Sequence, residues 1–278
     1  MAEQERLTIH VPPDASPTAL IDMGKLLVQF QDRPFTSSEL LTVLTEHGRK
    51  SRPEIPPTAR ALGLLEQCGK SMRLSEIGKT IARLRDDVAG ELMHYLLFSS
   101  WTHDEPLKFL PSWTYRITCL RYWHLGEVRI DGDFKSRLIP EINGEAQEYF
   151  AKYGTFSDPS FGPKSLRGVA VWLEALQPPV LVGDVFRRRT FCIPELVVLA
   201  LGYSVRDQAD AINVDILLSR ERRETIAQLC LLSPEHLDQV LDYALTSFPH
   251  LVQPGTTAGF YGRFVRLLKR PTVEDVVR

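Results

Sequence analysis

The chain reads as an α+β protein, mostly α, and three observations carry that reading. Apolar residues recur at helical spacing through most segments. The strand-like runs are short and come in pairs around glycine-bearing turns. One order of elements, two helices and then a hairpin, comes round three times without any repeat of the sequence itself. The 278 residues, 44% hydrophobic and 24% charged, are ample for a core and for one to three domains.

Residues 1–16 are charged and proline-bearing and are expected to form a flexible arm. Pro17 to Gln31 reads as the first helix, with Leu20, Met23, Leu27 and Phe30 on one face. Thr36, Ser37 and Ser38 are good N-caps, because a hydroxyl accepts a bond from an orphan helix N–H. Leu40, Leu41 and Leu44 then mark the apolar face of a helix that Gly48 stops. Pro56 or Pro57 suits the first turn of the next helix, where a missing N–H costs nothing. On it Ala59, Leu62, Leu65 and Cys68 are expected to face a core, with Thr58, Arg60, Gly63 and Glu66 on the other side. Gly69-Lys70-Ser71 reads as a turn and Met72 to Leu74 as a strand, and Ser75 caps a closing helix, Glu76 to Leu84.

The series from Thr36 to Leu84, two helices followed by GKSMRLSEIGK, resembles a winged helix-turn-helix over about a fifth of the chain. The resemblance implies tandem winged-helix-like units with helical connections. It also implies that the second helix of a pair meets the major groove of double-stranded DNA. The residues that would then matter are Arg49, Lys50, Ser51 and Arg52 in the preceding turn, Thr58 and Arg60 on the helix, and Lys70 and Arg73 in the wing.

Further along, Asp86 to Trp101 is a buried or interfacial helix, and Pro106 to Gly126 a helix packing its aromatic rings inward. Asp131 to Gly154 is helical, with a break expected near Pro140 and Asn143-Gly144. Pro163 to Gln177 is an amphipathic helix that opens with Lys164, Ser165 and Arg167. Val180 to Phe191 reads as a hairpin turning at Gly183-Asp184 and carrying Arg187, Arg188 and Arg189. Pro194 to Tyr203 is a core helix. Ser219 and Ser233 cap two more helices, and Leu251 to Leu268 is a hairpin with Arg263 and Arg266. The division expected is an arm (1–16), a winged-helix domain (17–101), a helical segment with a second winged-helix-like unit (102–193) and a third such unit (194–278).

Charge supports a polyanion partner more than an enzyme. Between residues 33 and 84 cations outnumber five glutamates, whereas 86–159 is acidic. The histidines never fall at metal-ligand spacing, so no metal or cofactor is expected. His103-Asp104-Glu105 and Asp133-Phe134-Lys135 lie on turns rather than on the adjoining strands a metal-dependent nuclease needs. No phosphate-binding glycine loop or nucleophile elbow is present. The four cysteines are far apart and sit among apolar residues, as buried hydrophobes do. No apolar run approaches the ~20 residues of a membrane span, so a cytoplasmic setting is expected, and the winged-helix resemblance implies a prokaryotic one. The expected function is non-catalytic double-stranded DNA binding, as a transcriptional regulator. The stretch from Phe161 onward is also similar in element order to accessory DNA-binding proteins of bacteriophage-exclusion systems, which implies a defence or DNA-processing role instead. A scaffold that grips protein partners through its winged helices is the remaining alternative.

Overall fold

Several helices start on a hydroxyl or carboxylate cap. Thr36 forms a capping box with Glu39, and Ser16, Ser75, Asp131 and Ser219 each accept a bond from the first helical turn. The computed structural model describes residues 5–208, 210–255 and 262–277. In chain order these hold β1 (Glu5–Arg6), α1 (Pro17–Val28), α2 (Ser37–Glu46), α3 (Ile55–Ala61), β2 (Leu65–Cys68), β3 (Ser71–Leu74), α4 (Glu76–Ala82) and α5 (Asp86–Ser99). There follow α6 (Leu110–Leu125), β4 (Glu127–Arg129), α7 (Gly132–Phe150), β5 (Phe156–Ser157), α8 (Pro163–Glu174), β6 (Leu181–Val182) and β7 (Val185–Arg187). The last group is α9 (Pro194–Ser204), β8 (Asp215–Leu217), α10 (Arg220–Leu229), α11 (Leu237–Ser247), β9 (Val252–Pro254), β10 (Phe264–Leu267) and α12 (Val273–Val276).

The chain divides into two compact units, Met1–Arg187 and Arg188–Arg278. The expected border between 17–101 and 102–193 therefore lies inside the first unit. Arg188 and Arg189 belong with the second unit, not with the hairpin that ends at Arg187.

One topology occurs three times: helix, strand, helix, helix, then two strands, with the first strand paired to the last. In the first block, α1, α2 and α3 are followed by β2 and β3. A single bridge from Phe35 to Met72 stands for the first strand, its N–H···O bonds 2.8 and 2.7 Å long. In the second block, α6, β4, α7, α8, β6 and β7 form a sheet of order β4-β7-β6. In the third, α9, β8, α10, α11, β9 and β10 form a sheet of order β8-β10-β9. The glycine-rich turn expected between the last two strands falls at 256–261, outside the described residues.

Several expectations are corrected. The segment after residue 6 is no loose arm. Leu7, Ile9, Val11 and Ala15 are buried, and β1 pairs in parallel with β5. Helix α3 ends at Ala61, because Gly63 takes a left-handed φ of +74° and the Leu64 N–H turns back to the Ala59 carbonyl. Leu65 and Cys68 accordingly lie on a strand, and Cys68 is half-buried. Helix α7 runs unbroken through Pro140 and Gly144. Its buried stripe Leu138, Ile142, Ala146 and Phe150 holds it, since each large apolar side chain buried is worth about 1.5–3 kcal/mol against the ~3 kcal/mol cost of the proline. Ser233 opens a short 3-10 turn, Pro234–His236, before α11 begins.

Candidate nucleic-acid interface

The N-terminal segment is the hub of the candidate site. Leu7, Ile9 and Val11 point into the core, so the alternate residues Thr8 and His10 face outward. The segment crosses the start of α8 so closely that a Cβ on Gly168 would stand 2.0 Å from the Val11 carbonyl oxygen. One turn earlier on the helix, the buried Ser165 hydroxyl lies 2.6 Å from His10 Nδ1. Asp14, at the end of this segment, meets Lys50 Nζ at 3.0 Å and Arg52 Nε at 4.0 Å. The bonded Lys50 ammonium holds the Asp14 carboxyl below its ordinary range, and the charges of Arg52 and Lys164 add to this. Cations from the turn before α3 and from the first turn of α8 thus converge, although more than a hundred residues separate them.

The expected site residues fare differently from one another. Lys164 and Arg167 stand exposed on the outer face of α8, three residues apart on a 12-residue helix. Among the described residues neither has a carboxylate within ion-pair distance. Arg52 is 60% exposed and only loosely tied to Asp14. Arg49 lies 3.5 Å from Asp22. Ser51 donates its hydroxyl to the Leu41 carbonyl and is spent on the turn. Thr58 is buried, not on an outward face, and only Pro57, Arg60 and Ala61 of α3 are exposed. Arg60 reaches the Gln67 side chain at 3.4 Å. In the first hairpin Lys70 is exposed at the turn, while Arg73 pairs with Glu66 at 2.6 Å.

Ser165 is corrected from a contact residue to a buried one. Arg187 is exposed but pairs with Glu127 at 2.9 Å, and Arg129 pairs with Asp184 across the same sheet. Arg188 is half-buried. Arg189 is 4% exposed and donates from Nε to the Cys230 carbonyl at 2.7 Å, so it is a strut of the second unit. In the third block Arg263 bridges Asp238 and Asp242, and Arg266 bonds Asp215 at 2.8 Å. Both carboxylates that Arg263 holds lie on the outer face of α11, the helix corresponding to α8.

No family model, curated protein or solved structure matches the chain. The site is therefore argued from its residues alone. Among the described residues no group of three or more His, Cys, Asp or Glu could hold a metal ion. His103 bonds the Tyr149 hydroxyl at 2.8 Å, and Asp133 sits in the first turn of α7. No described helix is long and apolar enough to cross a membrane.

Three residues of this region, His10, Asp14 and Glu54, were not singled out from the sequence. A signal for the first existed: Leu7-Thr8-Ile9-His10-Val11 alternates apolar and polar residues, as a half-buried extended segment does. Asp14 and Glu54 carry no comparable local mark.

Proposed function

We propose that the chain is a non-catalytic double-stranded DNA-binding protein built from winged-helix-like blocks, and that the second block makes the principal contact. The observation that carries this is the meeting of Lys50, Arg52 and Lys164 around Asp14 beside the start of α8, with Arg167 exposed on the outer face of the same helix. In such a block the helix before the last two strands is the one that enters the major groove. Helix α8 has no side-chain cap at Gly162, and its outer face carries two cations with no paired carboxylate among the described residues. Lys50 and Arg52 would lie beside it and hold backbone phosphates, which position the protein rather than specify a sequence. The corresponding helix of the third block argues for a protein partner in that block. Its outward Asp238 and Asp242 would oppose a polyanion, and Tyr243 beside them is half exposed.

The test is a duplex titration at several salt concentrations. Lys50→Ala, Arg52→Ala, Lys164→Ala and Arg167→Ala together should weaken binding severely. The slope of log affinity against log salt should fall by about 0.9 for each phosphate left unneutralised. Undiminished affinity in a folded quadruple variant would refute the reading. A single tight palindromic site would assign a transcriptional regulator, whereas length-dependent, sequence-blind binding would assign a DNA-processing or defence accessory.

A further inference from the structure

A groove of about 460 Å³ opens between α6 and α7. Its size is within the range of small-molecule sites, roughly 300–1,000 Å³. Two helical stripes make its sides. Arg121, His124 and Leu125 lie at i, i+3 and i+4 on the last turns of α6 and so share one face. Phe134, Arg137, Leu138 and Glu141 follow the same spacing on α7, and Val128 of β4 joins them. Gly126 ends α6 with a φ of +80°, its N–H shared between the Tyr122 and Trp123 carbonyls at 3.1 Å. The chain turns there into β4 and leaves Leu125 outside, 55% exposed. Asp131 accepts from the Phe134 N–H at 2.9 Å, and the Phe134 ring leans on buried Tyr122 with ring centres 5.9 Å apart. Phe134 and Val128 are half-buried. A lone exposed leucine needs no explanation, but one that shares a concave wall with a part-exposed phenylalanine and valine marks a binding surface.

The arginine and glutamate charges of this groove do not cancel. Glu141 is bonded to Arg121 at 3.1 Å, and Glu145 takes another nitrogen of the same guanidinium at 2.5 Å. Arg137 is exposed and has no carboxylate within ion-pair distance among the described residues. One untied guanidinium thus stands beside apolar walls. A single fork of this kind suits a single carboxylate, which it can meet with two parallel bonds. A phosphate group brings more charge than one arginine offsets, and Glu141 would oppose the excess.

We propose that this groove binds a small amphipathic carboxylic acid. The chain or ring of the acid lies on Leu125, Val128 and Phe134, with Leu138 behind them, and its carboxylate pairs with Arg137. The assignment does not rest on duplex binding at α8, since no groove residue belongs to that cluster and the acid is titrated with no DNA present.

The test is calorimetric titration of the full chain with octanoate and 3-phenylpropionate, and with the amides of the same two acids. At least one acid should saturate one site per chain and bind about tenfold or more tighter than its amide, the margin expected of one charge-assisted pair. Arg137→Gln should bring the acid down to the affinity of the amide and leave the amide where it was. Leu125→Gln should weaken acid and amide alike, by about threefold or more, through lost apolar contact. Both side chains are exposed, so both variants should keep the circular dichroism of the parent. The variant with Lys50, Arg52, Lys164 and Arg167 all changed to alanine should bind the acid as the parent does, whatever becomes of its duplex affinity. No saturation by either acid overturns the proposal, and so do acids that bind no better than their amides. A preference for the acid that survives Arg137→Gln overturns it as well. A self-associated chain that binds no acid and that Leu125→Gln dissociates gives the groove to a second copy instead.

Discussion

Asp14 shows how one carboxylate can restrain a basic site. It accepts from Lys50, faces Arg52 and feels Lys164, so it offsets part of the charge a phosphate would meet. Replacing it with asparagine should tighten duplex binding and steepen its salt dependence, as read by anisotropy titration. The change should cost the fold little, because exposed ion pairs contribute only about 0.2–1 kcal/mol. Asp14 escaped notice in the sequence because the cations were weighed against carboxylates between residues 33 and 84. Asp14, Asp22 and Asp32 lie just before that window, yet they pair with Lys50, Arg49 and Lys79 inside it. Linear charge counting cannot see such pairs. His10 makes a different prediction. Burial, then the Lys164 charge, lowers its pKa below the ordinary imidazole value of 6.5, against a smaller upward pull from Glu54. The unfolded chain therefore binds this proton more readily than the folded one between the lowered value and 6.5. Stability should fall as pH drops through that window, and His10→Gln should flatten this limb in urea melts taken from pH 7.5 to 5.

At the scale of elements, helix identity was legible wherever a start signal and apolar residues agreed, a capping box in α2 and a first-turn proline in α8 and α9. It failed where a tertiary contact outranked a local signal. Gly144 and Pro140 marked a break in α7, but burial of Ile142 and Phe150 carries the helix across. There the Asn143 side chain also clamps the Phe161 backbone with bonds of 3.0 and 3.1 Å. Gly144 itself has open space around its missing Cβ. Gly144→Ala should therefore stabilise the first unit by about 0.5–1 kcal/mol, since glycine costs that much inside a helix. Gly168 in α8 is the opposite case, because its added Cβ would drive into the Val11 backbone. Gly168→Ala should lift the N-terminal segment from α8. Faster amide exchange at residues 7–15 and a lower melting temperature are the expected readouts. An unchanged exchange pattern would mean that this close approach does not hold the segment. Short strands such as β4 and β8 were missed altogether: three residues set no readable alternation, and each exists because the last strand of its block offers an edge.

At the scale of the whole molecule, the repeated order of elements could be read from the sequence, but the division of labour among the blocks could not. All three carry arginines near their last strands, and composition alone makes them look alike. Pairing separates them. The Arg187 and Arg129 charges are matched within the second sheet, and Arg263 and Arg266 are matched within the third. Lys164 and Arg167 alone combine exposure, an outward helical face and lack of a paired carboxylate among the residues expected to touch DNA in the last two blocks. Two double variants of the full chain should therefore behave in opposite ways. Lys164→Ala with Arg167→Ala should lower the salt slope of duplex binding by about 2 and leave the melting curve nearly unchanged. Arg263→Ala with Arg266→Ala should leave the slope alone and destabilise the second unit instead, because Asp215, 11% exposed at its side chain, would lose its bond to the Arg266 guanidinium. If the second pair lowers the slope as much as the first, duplex contact is shared between α8 and the third block, and the carboxylates on α11 must turn away from the phosphates.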